Sequence, residues 1–162
     1  MVIGLGNPLM ADDGLGLVAL ESLRTVSAGL SGEVELVDGG TWGLALLPAI
    51  ESAARLLLLD AIERGAPAGT LHTLERDEIP RYLATRISPH EVSLQDVLAL
   101  AELRGTLPRE TVAIGLEPAR VEMNCGLSAS VAHRVDDLLA AALRRLSDWG
   151  HVSRTAETAI HA

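Results

Sequence analysis

The chain has 162 residues, of which 48% are hydrophobic and 2% aromatic, with one cysteine and a formal net charge of −9. This length can bury a core without covalent staples, and Cys125 alone excludes both a disulfide framework and a zinc site built on several thiolates. The acidic balance argues against a nucleic-acid partner and favours a neutral or basic one, and no apolar run approaches the roughly 20 residues of a membrane span.

Met1 to Leu5 reads as a short strand ended by Gly6, Asn7 and Pro8. From Gly14 the residues Leu15, Leu17, Val18, Leu20 and Leu23 recur at helical spacing and predict a first helix to about Val26, with Asp12 or Asp13 where an N-cap would sit. Glu33 to Val37 predicts a second strand running into Asp38, Gly39 and Gly40. Trp42 to Ile50 reads as helix, with Pro48 set against its later turns. Arg55 to Leu59 is the continuous apolar run of a strand covered on both faces, and it ends in Asp60.

Gly69 to Leu74 reads as a fourth strand, and a polar connection with Pro80 and Pro89 follows. Ser93 is placed to cap a helix carrying Val92, Leu94, Val97, Leu98 and Leu100. Glu110 to Leu116 is a fifth strand, Glu117 to Gly126 an irregular stretch or short edge strand, and Leu127 to Leu146 a long last helix. Alternating strands and helices predict an α/β fold: a three-layer α/β/α sandwich with a mainly parallel sheet of about five strands, one later strand being a candidate for antiparallel pairing. The expected organisation is one domain over residues 1–146 and a tail over 147–162. The expected setting is cytoplasmic, monomeric and free of membrane insertion, since the beginning does not read as a signal peptide.

In an open parallel sheet, ligands sit beyond the C-terminal ends of the strands. Asp12 and Asp13 follow the first strand, Asp38 the second and Asp60 the third, so the topology would bring three acidic positions to one rim, with His90 able to join them. Carboxylates and an imidazole without thiolates suit nickel, manganese, iron or zinc. Each residue also has a plainer reading: Asp12 and Asp13 as helix caps, Asp38 as a turn former, Asp60 as a structurally paired carboxylate, His90 as a surface or capping histidine. Cys125 in EMNCG reads as an inert buried residue, and His72 and His133 as structural. His151 and His161 fall in the tail, and no serine sits in a nucleophile-elbow motif.

Six segments together resemble the endopeptidases that mature the large subunit of nickel-iron hydrogenases. They are GLGNPLMADDGLG at Gly4–Gly16, DGGTWGLALL at Asp38–Leu47, LLLLDAIERG at Leu56–Gly65, SPHEVSLQDVL at Ser88–Leu98, IGLEPARVE at Ile114–Glu122 and GLSASV at Gly126–Val131. They occur in that family's order and spacing across about the first 146 residues. In that family the first strand usually begins several residues earlier. The resemblance implies an endopeptidase, grouped with the aspartic peptidases, that removes a short C-terminal extension from the hydrogenase large-subunit precursor after nickel insertion. It further implies that the metal contacts fall on Asp13, Asp60 and His90 and that Asp38 is a further aspartate of the site; the nickel itself is expected to be carried by the substrate. A nickel-recognition chaperone for the same precursor would use the same ligands without cutting. Peptidyl-tRNA hydrolases share the GLGNP turn but not the Asp12-Asp13-Gly14 that follows here, and a dinucleotide fingerprint fails at Met10, where its third glycine belongs.

Overall fold

The computed structural model describes residues 1–26, 34–41, 43–79 and 94–151. Among these, five strands form one sheet: β1 (Val2–Leu5), β2 (Leu36–Gly40), β3 (Arg55–Ala61), β4 (Leu71–Glu75) and β5 (Glu110–Leu116), in the order β2-β1-β3-β5-β4. Neighbours are parallel except β4, which runs antiparallel to β5. This is the mainly parallel sheet of five strands that the sequence predicts, and the antiparallel pairing it leaves open falls on β4.

Alternation along the strands builds two cores. Val2, Leu57, Leu59 and Ile114 meet α1 (Leu15–Val26) and α5 (Val135–Asp148) on one side. Ile3, Leu56, Leu58 and Ala113 meet α2 (Leu47–Ser52) and α3 (Leu94–Leu103) on the other. Because both faces are covered, β3 and β5 are buried at every position after their first residue, which explains their uninterrupted apolar sequence. Each fully buried Leu or Ile contributes roughly 1.5–3 kcal/mol of transfer free energy.

The glycines of the first segment set how closely α1 approaches the sheet. A Cβ on Gly16 would lie 2.1 Å from the Leu59 carbonyl oxygen, and one on Gly4 would lie 2.5 Å from the Gly16 carbonyl oxygen. Helix and strand therefore touch backbone to backbone at the point where the chain leaves β1.

Several element bounds differ from the sequence expectations. β2 occupies Leu36–Gly40, so Asp38 lies inside a strand rather than after it. The strand persists through the glycines because it keeps pairing with β1, Gly40 partnering Leu5 after a register shift between Gly4 and Leu5, and residue 39 must be glycine because a Cβ there would strike the Ile3 side chain at 2.5 Å. Asp60 likewise belongs to β3. Pro48 does not break its helix but stands in the first turn of α2, where its missing N–H costs nothing. The long last helix is divided into α4 (Ala129–Ala132) and α5, with Arg134 leaving helical geometry at φ −108° and ψ 2°.

The helical chain continues past residue 147: Trp149 is 7% exposed and packs in the core, its carbonyl accepting from Arg55 Nη1 at 2.7 Å. Expectations for Trp42, Pro80, Pro89, His90, Ser93 and residues 152–162 lie outside the described residues.

Candidate active site

The turn after β1 is closed by its own polar groups. Gly6 has φ +111°, and a Cβ there would coincide with the Asp13 carbonyl, so only glycine lets residue 13 fold back over residue 6. The Asn7 N–H donates to Asp13 Oδ2 at 2.9 Å, and the Asp13 N–H donates to the Met10 carbonyl at 3.2 Å. Asp13 is half-buried in a 3-10 turn, Ala11–Gly14, that lies against β3.

Asp12 corrects an expectation. It does not cap a helix of its own segment; the turn has no side-chain cap. Instead Asp12, 0% exposed, reaches the opposite loop. Its Oδ1 accepts the Ser128 N–H at 2.6 Å, and its Oδ2 accepts the Ala119 N–H at 2.8 Å, the Arg120 N–H at 3.1 Å and the Ser128 hydroxyl at 2.9 Å. Burial pushes this carboxyl up, but the Ser128, Ala119 and Arg120 hydrogen bonds outweigh it and hold the group below its ordinary value.

Asp60, 6% exposed, ends the apolar run of β3. Its Oδ1 accepts the Ala61 N–H at 2.8 Å, and its register partner is Gly115. Counting by twos from Leu56 and Leu58 puts it on the α2 and α3 side of the sheet. Asp38 pairs with Gly4, and a Cβ on Gly4 would face α1, so the register puts the exposed Asp38 on the opposite side. Two strand spacings separate Asp38 from β3, about 10 Å. The structure thus brings the Asp13 turn against the strand of Asp60 and sets Asp38 across the sheet. Among the described residues no three His, Cys, Asp or Glu side chains are grouped to hold a metal ion, and His90 lies outside them.

One buried carboxylate escapes the sequence reading. Glu117, 3% exposed, follows β5 and accepts the Arg64 N–H at 2.9 Å, the Gly65 N–H at 2.9 Å and a contact from His72 Nε2 at 2.8 Å. Burial raises its carboxyl, yet the Arg64, His72 and Gly65 hydrogen bonds outweigh that and keep it below its ordinary value. The available signal is an acid directly after an apolar strand, the same pattern that singles out Asp60 after Leu56–Leu59. Cys125, expected to be buried, is exposed. It lies in a run of exposed residues, 119–126, where no core is available to receive it.

The family model described as hydrogenase maturation protease matches residues 20–145. The chain belongs to the hydrogenase maturation protease family. Its relatives include the hydrogenase expression/formation protein HupD of Rhodobacter capsulatus, 40% identical over 152 residues that make up 93% of this chain and 72% of HupD. The hydrogenase 2 maturation protease of Escherichia coli is 33% identical over 163 residues, spanning 99% of this chain and 98% of that protein. Among solved structures, the hydrogenase maturating endopeptidase HybD from Escherichia coli superposes with a TM-score of 0.85 at 31% identity, covering 95% of this chain and 96% of HybD. In this family member, no helix among the described residues is long and apolar enough to cross a membrane.

Proposed function

We propose that this protease is an endopeptidase that removes the C-terminal extension of a nickel-iron hydrogenase large-subunit precursor after nickel insertion. The nickel arrives with the precursor, held by its cysteine thiolates, and Asp13, Asp60 and His90 fill its remaining positions. The observation that carries this reading is the packing of the Asp13 turn against β3, whose rim end bears the buried Asp60, in a chain of this family. Two carboxylates from different strand ends form a hard donor pair suited to a divalent cation.

Docking through the metal would make cleavage conditional on maturation, because a nickel-free precursor offers these side chains nothing to bind. The nickel, or a water it holds, polarises the scissile carbonyl, and Asp38 or a docking carboxylate serves as general base. Asp38 begins on the other side of the sheet from Asp60, about 10 Å from β3. That placement favours a role toward the attacking water over a share in the metal. The enzyme acts as a monomer in the cytoplasm, on a partner whose docking surface is neutral or basic to match the charge of −9.

The test is cleavage of nickel-loaded precursor followed by mass spectrometry. Asp13→Asn, Asp60→Asn and His90→Ala should each abolish the mass loss while leaving the circular dichroism spectrum unchanged. Normal trimming by Asp60→Asn would remove the site assignment. Tight binding of nickel-loaded precursor without any mass loss would instead make the protein a chaperone.

A further inference from the structure

We propose that Asp12 is a positioning residue for this reaction, bolting the turn that carries Asp13 to the segment 119–128; the inference rests on the function proposed above. Asp12 is fully buried, and both of its oxygens are taken by donors from Ala119, Arg120 and Ser128, more than a hundred residues away in sequence. The main chain adds further ties across the same seam. The Asp12 N–H donates to the Arg120 carbonyl at 3.3 Å, the Ala11 N–H to the Asn124 carbonyl at 2.8 Å, and the Asn124 N–H to the Leu9 carbonyl at 3.0 Å.

Between these ties sits Ala11 at φ +50°, the one non-glycine with positive φ among the described residues. An L-residue keeps that conformation when its surroundings over-determine it. Here the surroundings are the seam that Asp12 anchors.

The consequence falls on Asp13. Its bonds to Asn7 and Met10 fix the carboxylate relative to the turn of residues 7–13, whereas the Asp12 side chain fixes that turn relative to the loop across the seam. Asp12 therefore acts through its neighbour: when the bolt is loosened, the turn keeps its internal shape but the Asp13 carboxylate loses its fixed aim at the rim.

The test compares wild type, Asp12→Asn, Ser128→Ala and the double variant. An amide in place of the carboxylate puts an NH2 where one oxygen accepts, and it opposes N–H donors that it cannot satisfy. Asp12→Asn should raise KM for nickel-loaded precursor about 10–100-fold, the range for charge-assisted hydrogen bonds, with a smaller change in kcat. Ser128→Ala, which removes the hydroxyl bond to Asp12 and the hydroxyl's contact with Ser130 but keeps the Ser128 N–H, should raise KM about fivefold, and the double variant should be no worse than Asp12→Asn. Amide exchange should quicken at Ala119, Arg120 and Ser128 in Asp12→Asn while the β3 and β5 amides stay protected. A purely structural role would lower the melting temperature and leave KM of the folded protein unchanged, which would overturn the proposal, as would additive effects in the double variant. Should Asp12→Asn not fold, the Ser128→Ala shift in KM decides. Failure of wild type to cleave nickel-loaded precursor would overturn the function reading instead, and unchanged exchange at Ala119, Arg120 and Ser128 would overturn the bolt itself.

Discussion

Asp12 and Glu117 are built from the same physics and set in different places. Each is a nearly sealed carboxylate that burial alone would shift toward its neutral form, and each is held below its ordinary value by hydrogen bonds from residues distant in sequence. The Asp12 donors come from Ser128, Ala119 and Arg120, and the residue they steady is Asp13. The Glu117 donors are the backbone of the turn that follows β3 and the imidazole of His72 on β4, so this clamp joins β3, β4 and β5, none of which carries Asp13. A buried carboxylate is thus no sign of catalysis by itself. Its duty follows from what its donors hold still.

That contrast is broken or sharpened by substitution. Glu117→Ala strands several half-buried donors and should cost the most stability, about 3–5 kcal/mol by urea unfolding, while kcat/KM of the folded fraction stays at the wild-type level. Comparable losses of kcat/KM in Glu117→Ala and Asp12→Asn would erase the distinction between the two clamps. A smaller effect appears in acid. Because the Glu117 carboxyl lies below its ordinary value near 4.5 in the folded state, its contribution is fully present above that value and is lost as pH falls through the lower folded value. Wild type should therefore lose stability relative to Glu117→Gln as the pH falls below about 4.5 in urea titrations. The smallest effect belongs to His72→Gln, which keeps a donor for Glu117 and should cost about 1 kcal/mol. A much larger cost would mean that the ring's charge, more than its N–H, holds the clamp.

The sheet was legible because β3 and β5 are covered on both faces and must be apolar throughout, a constraint that writes itself into Leu56–Leu59 and Val112–Leu116. The bounds of β2 were not, because turn chemistry at Asp38-Gly39-Gly40 reads as an end when viewed locally. What extends the strand is its continued pairing with β1 through Gly40, a tertiary fact. The break between α4 and α5 at His133 and Arg134 was invisible for a related reason: neither residue interrupts helical periodicity. Asp12 and Asp13 are adjacent, chemically alike and equally placed to cap, so nothing local separates their roles. The donors that separate them lie on the far side of the chain. Glu117 is hidden from a local reading because it opens an irregular stretch, although it stands to β5 much as Asp60 stands to β3.

The central claim is that the protease reads the precursor's nickel. The most direct measurement incubates the wild-type protein with the same hydrogenase large-subunit precursor in nickel-loaded and nickel-free form and follows the mass of its C-terminus. The account predicts loss of the extension from the loaded form alone. Equal trimming of both forms would contradict it.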